Sequence, residues 1–157
     1  MFKTIIWATD GSEVADGALP FAKELARCAD GKLVVVHSNE KFSGRASGYS
    51  VLADEEELEA KIHLQVDELR TEGFDATFTL VSGASAEAAH SIAEVAGREH
   101  ADVIVVGTRG HRPMAGVLVG SVTQRLLHIA PCPVLAVPAA MQRSEKSTPR
   151  QHATTAS

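Results

Sequence analysis

A chain of 157 residues with 45% apolar and 22% charged side chains is long enough to close one hydrophobic core and has the balance of a globular domain. A net charge of −5 opposes non-specific nucleic-acid binding, and five Phe, one Tyr and one Trp are too few for a base-stacking surface. No apolar run approaches the roughly 20 residues of a membrane helix, Met1 to Trp7 lacks a cleavage site, and Cys28 and Cys132 form no CxxC pair. The expectation is a cytoplasmic protein with no membrane segment, no disulfide framework and no zinc site.

Strand-like and helix-like segments alternate along the chain. Lys3 to Thr9 is β-branched and aromatic and predicts a buried first strand. Ser12 is placed as an N-cap, followed at helical spacing by Val14, Ala18, Phe21, Leu25 and Cys28. Pro20 falls inside that helix and is expected to kink it. After Gly31, Lys32 to His37 predicts a second strand, and residues 39–51, polar with Gly44 and Gly48, a mobile surface loop. Leu58, Ile62, Val66 and Leu69 mark one face of a long helix ending near Gly73, and its acidic start, Asp54 to Glu57, suits the positive end of the helix dipole.

Ala76 to Val81 and Ala86 to Arg98 predict a third strand and a third helix. Asp102 to Val106, Gly120 to Ile129 and Pro133 to Val137 follow as strand, helix and strand. Residues 139–157 show no periodicity and read as a disordered tail after a single domain over 1–138. Five strands alternating with four helices mean an α/β fold, an open five-stranded parallel sheet sandwiched by helices, Rossmann-like. The seven histidines are scattered, with no pair at i, i+4 on a predicted helix, and read as surface or core residues.

The chemistry concentrates in Gly107-Thr-Arg-Gly110 and, nine residues on, Gly120-Ser121-Val122-Thr123. This glycine-rich loop leaves the carboxyl end of a strand and enters a helix. Glycines permit positive φ and close backbone approach, and the unpaired N–H groups of a helix start favour an anion. Arg109 and Arg112 add positive charge inside the loop. No GxxxxGK[ST] is present, and Asp10-Gly-Ser12 stands where a dinucleotide fold would carry GxGxxG. The Asp10 turn and the Gly107 loop both fall at carboxyl ends of strands, which supports one shared site.

These residues resemble the universal stress protein family, in its ATP-binding branch, whose G-x2-G-x9-G-[ST] pattern is matched by Gly107, Gly110, Gly120 and Ser121. Ile5 to Ser12, Leu33 to His37 and Ala130 to Val137 resemble the family's opening, second and closing strands, so the resemblance covers about residues 2–138. It implies ATP as the ligand, with Mg²⁺ or Mn²⁺ as a possible companion but no protein ligand for the metal evident beyond Asp10. It places Asp10 in the adenosine pocket, Ser38 with backbone groups at the adenine edge, and Val106 and Gly107 along the base and ribose. Gly110 and Gly120 would let the loop close on the phosphates. Ser121, Val122 and Thr123 would offer backbone N–H groups, with both hydroxyls in reach. Each has a plainer alternative: Asp10 as a cap of its turn, Ser121 and Thr123 as ordinary helix-start residues, Gly110 as loop geometry.

The resemblance further implies a regulatory stress-response role and a homodimer through the C-terminal strand, where Val134, Leu135 and Val137 are apolar. No general base or nucleophile is evident beside the loop, so slow ATP turnover at most is expected. Two other readings stay open. One is a cyclic-AMP-binding or nucleotide-independent interaction module. The other is a phosphoryl-transfer enzyme using Asp10 as acceptor, against which stands Ser12 where such sites carry a second carboxylate.

Overall fold

Runs of β-branched residues bounded by turn residues form five strands, all parallel, in the order β3-β2-β1-β4-β5. The computed structural model describes residues 2–40, 50–83, 87–109 and 119–139. In chain order they form β1 (Thr4–Thr9), α1 (Glu13–Asp16), α2 (Leu19–Ala29), β2 (Lys32–Glu40), α3 (Ser50–Thr71), β3 (Ala76–Gly83), α4 (Ala88–Arg98), β4 (Val103–Gly107), α5 (Ser121–Ile129) and β5 (Val134–Val137). The expected α/β fold with an open five-stranded parallel sheet is therefore observed. The expected tail, 139–157, lies outside the described residues apart from Ala139.

Strand alternation divides the core into two layers. Ile5, Trp7, Leu33, Val35 and Val105 face α2 and α3, where Ala22, Ala26, Ile62 and Val66 meet them. Ile6, Ala8, Val34, Val36, Ile104 and Val106 face α4 and α5, against Ala89, Ile92 and Leu126. The near-continuous apolar reading of β1, β2 and β4 follows, because a central parallel strand is covered on both faces. Among the described residues no helix is long and apolar enough to cross a membrane.

Three local expectations are corrected. The first helix is two helices, and Pro20 does not kink either. Gly17 ends α1, its N–H bonding the Glu13 carbonyl at 3.0 Å. Pro20 then sits in the first turn of α2, where a missing N–H costs no intrahelical bond. Second, β2 runs three residues past the expected end, to Glu40, and α3 already begins at Ser50, so the expected loop is reduced to 41–49, which lie outside the described residues. Third, α3 therefore has no acidic residue in its first turn, and Glu55, in its second turn, has the different partner described below.

The strand order puts the reversal between β1 and β4, adjacent in the sheet with Ala8 opposite Val106. From β1 the chain turns to the α2–α3 layer, and from β4 to the α4–α5 layer. Diverging connections open a crevice beyond the carboxyl ends of these two strands.

Candidate functional site

Three strand ends and one helix start meet at this crevice. At the end of β1, Asp10 Oδ1 accepts hydrogen bonds from the Ser12 N–H at 3.0 Å and the Ser12 hydroxyl at 2.6 Å. Ser12 Oγ in turn accepts from the Ala15 N–H at 3.2 Å, so Ser12 is the α1 cap the sequence indicated and Asp10 orients it. Gly11 between them has φ +74°, the left-handed region, and a Cβ there would lie 1.9 Å from Leu58 Cδ1. The positive φ favours glycine here, and any side chain would also have to displace the end of Leu58. Lys61, one turn further along α3, donates to the Gly11 carbonyl at 2.7 Å and to Asp16 Oδ2 at 2.6 Å, while Gln65 donates to Asp16 Oδ1 at 3.0 Å.

At the end of β2, His37 is 2% exposed, a burial unusual enough for histidine to require partners. Its Nδ1 lies 2.9 Å from the Thr9 carbonyl and its Nε2 2.8 Å from Glu55 Oε1. A carbonyl can only accept, so the Nδ1 contact is one in which the ring donates to Thr9. The pair fastens α3 to the strand end that carries Asp10. Beyond His37, β2 outruns β1: the last β1 pairing is Thr9 with His37, whereas Ser38, Asn39 and Glu40 pair only with β3. Lys32 donates its N–H to β1 at Lys3, and Leu33 donates to Asp75 on the β3 side. Even-numbered residues of β2 thus turn their main-chain groups toward β1, and those of Ser38 face the point where β1 has ended.

At the end of β4, Val106 is buried and Gly107 sits so close to α1 that a Cβ on it would lie 2.9 Å from the Val14 carbonyl oxygen. The Gly107 carbonyl accepts from Thr123 Oγ1 at 2.9 Å, Thr108 donates its N–H to Val137 at 3.0 Å, and Gly120 donates to Thr108 at 2.6 Å. The first intrahelical bond of α5 runs from Gln124 to Gly120. Ser121, Val122 and Thr123 therefore occupy its first three positions, whose N–H groups precede any intrahelical acceptor. Ser121 is exposed, whereas the Thr123 hydroxyl is buried and engaged by Gly107. Gly120 has φ −66°, open to any residue, so positive φ is not what its position requires.

Asp10, Ser38, Val106, Gly107, Gly120, Ser121, Val122 and Thr123 thus share one end of the sheet, and Gly110, with Arg112, lies outside the described residues. Arg109 is exposed at the start of the loop. Among the described residues, no group of three or more His, Cys, Asp or Glu gathers as a metal site. Sequence reasoning missed His37, Glu55 and Lys61. The signals available were a histidine closing an otherwise apolar strand and a lysine on the apolar-facing side of α3.

The model of the universal stress protein family matches residues 1–138. The chain belongs to that family. A universal stress protein of Thermus aquaticus is 36% identical over 143 residues, 87% of this chain and 99% of the relative. Among solved structures, MJ0577, a universal stress protein of Methanocaldococcus jannaschii, superposes with a TM-score of 0.74 at 27% identity, over 88% of this chain and 96% of its own. A universal stress protein in complex with cAMP has a TM-score of 0.65 at 28% identity, over 87% of this chain and 97% of its own. One from Archaeoglobus fulgidus in complex with dAMP has a TM-score of 0.63 at 25% identity, over 87% and 98%.

Proposed function

We propose that this universal stress protein binds ATP in the crevice between β1 and β4 and acts as a cytoplasmic regulatory protein with slow or no hydrolysis. The observation that carries this reading is the coincidence of the α5 start with the β4 end: three helix-start N–H groups beside Gly107, at the reversal of strand order. An anion at the α5 terminus is stabilised by those donors and by the helix dipole. Gly107 and Val106 then offer a flat wall to the ribose and base, Ser38 its main-chain groups to the adenine edge, and Asp10 a carboxylate to the nucleoside. Thr123 contributes its N–H, its hydroxyl being occupied with Gly107. Gly110 belongs to the same motif and would complete the phosphate loop. Mg²⁺ or Mn²⁺, if it accompanies the nucleotide, would be held chiefly by the phosphates, with Asp10 as the candidate protein ligand.

A second reading, cyclic AMP as the ligand, is favoured by the cAMP complex of a structural neighbour. Mass spectrometry of nucleotide released from freshly purified protein, followed by titration with ATP, ADP, AMP and cyclic AMP, separates the two. ATP released and bound most tightly is the expected result. Tighter binding of cyclic AMP moves the function to second-messenger reading, and heat from none of the four overturns both.

We also propose a homodimer through β5, the sheet edge next to β4. Its residue Leu135 is 37% exposed, and an edge strand that shows an apolar side chain invites pairing. Leu135→Asp should shift the mass by light scattering from dimer to monomer; an unchanged mass would place the interface elsewhere.

A further inference from the structure

The odd and even residues of β2 serve opposite layers. Val35 and His37 face α3, whereas Val34 and Val36 belong to the cluster that holds Ala8, Val106 and Leu126, with Val81 and Val122 packed against it. Ser38, two residues beyond Val36, continues that second row. Its hydroxyl is therefore on the same side of the sheet as Val106 and as Val122, the second residue of α5. Adjacent strands lie about 4.8 Å apart, so β2 stands about 10 Å from β4, with the end of β1 between them. That is the reach of a nucleoside whose phosphates rest at the start of α5.

The Ser38 hydroxyl is buried and, among the described residues, has no hydrogen-bond partner. A buried hydroxyl left unpaired is destabilising, and such groups are rare in folded proteins. The fold itself gives no reason for it. The row reads Val34, Val36 and then serine, and a third valine would pack better in a strand and leave nothing unsatisfied.

We propose that the Ser38 hydroxyl is a specificity-determining group that hydrogen-bonds a polar atom of the adenine base, either ring nitrogen N7 or the 6-amino group. This rests on the crevice being a nucleotide site and adds a side chain to the main-chain groups of Ser38 already placed there. A hydroxyl both donates and accepts, so it suits either atom. It rejects a base that presents a carbon there, because its own hydrogen bond is then lost again.

The test compares wild type, Ser38→Ala and Ser38→Val by calorimetric titration with ATP, 7-deaza-ATP, which lacks N7, and purine riboside triphosphate, which lacks the 6-amino group. Thermal melting of each nucleotide-free protein controls for folding. Both variants should melt at or above the wild-type temperature. Ser38→Ala should weaken ATP about 3- to 10-fold, the size of one hydrogen bond. For whichever analogue lacks the atom read, wild type and Ser38→Ala should bind alike. Equal ATP affinity in wild type and Ser38→Ala would overturn the assignment, as would one common loss for ATP and both analogues. No ATP binding by the wild type would overturn the nucleotide site itself, and this role with it.

Discussion

Gly107→Ala tests how closely the two walls of the crevice meet. The added Cβ would lie 2.9 Å from the carbonyl oxygen of Val14, 3.2 Å from its carbonyl carbon and 3.2 Å from its Cγ1. Two of the three atoms are backbone, so no rotamer change relieves the contact, and α1 must move by a few tenths of an ångström. Overpacking of this kind costs about 1–3 kcal/mol. For a chain of this size about 2 kcal/mol lowers the melting temperature by about 4–8 °C. Gly97→Ala is the control, because a Cβ at Gly97 in α4 meets nothing within 4 Å. There the substitution should stabilise by about 0.5–1 kcal/mol through the better helix former. Trp7, the single tryptophan, is fully buried and donates its indole N–H to the Ala15 carbonyl at 3.1 Å, so its emission reports any shift of α1. Thermal melts and emission spectra of the two variants beside wild type decide the matter. Gly107→Ala melting at the wild-type temperature with unchanged Trp7 emission would refute the close approach.

Thr123→Val leaves the buried Gly107 carbonyl without its hydroxyl donor and should cost about 1–2 kcal/mol in urea unfolding, while Thr123→Ser keeps the bond and most of the stability. His37→Phe removes both hydrogen bonds that tie β1 to α3 and should cost about 2 kcal/mol; stability equal to wild type would mean that neither bond contributes. Asp102 accepts from the Thr4 N–H at 2.9 Å and the Lys3 N–H at 2.7 Å, and these bonds, that of Thr4 first, lower its pKa below the ordinary 3.8. A carboxylate with a lowered folded-state pKa stabilises the fold above its ordinary value, and that contribution fades as pH falls through the lowered one. The stability gap between wild type and Asp102→Asn should therefore be full near neutrality and close below about pH 4; a gap independent of pH would exclude this bond as its source.

Much of the fold was legible because its determinants are local. Apolar runs of four residues marked β1, β2, β4 and β5, polar–apolar alternation marked the start of β3, and alternation with helices fixed a parallel sheet before any pairing was known. Ser12 was readable as a cap because the cap bond spans three residues, Ser12 to Ala15. The misread helix was also local, but two punctuators competed. Pro20 was taken to interrupt a helix when Gly17 had already ended one and Pro20 opened the next. The candidate site was legible as a loop and a turn at two strand ends. Its supports were not, because they join residues far apart in sequence: His37 to Thr9 across 28 positions, and Lys61 to Gly11 across 50. No periodicity encodes such pairs. Glu55 had a sufficient local explanation in the helix dipole, and only tertiary contact shows that it faces a buried imidazole instead.

The two walls of the crevice belong to different layers, and this bears on how occupancy could be sensed. The Asp10 turn is held from the α3 side, by Leu58 packed under Gly11, by Lys61 on its carbonyl and by His37–Glu55 one residue before it. The loop after β4 is held from the other side, by Thr123 and the start of α5. The described contact between the walls is Gly107 against Val14, the close approach that Gly107→Ala disturbs. A ligand reaching from α5 across Val106 to Ser38 would add a second link between layers otherwise joined through the sheet. Binding would then stabilise the relative placement of α3 and α5 by mass action. Slowed amide exchange at residues 55–65 of α3, remote from the phosphates, would follow on nucleotide addition. Slowing confined to α5 would mean that the layers respond separately and that the α3 contacts serve the fold alone.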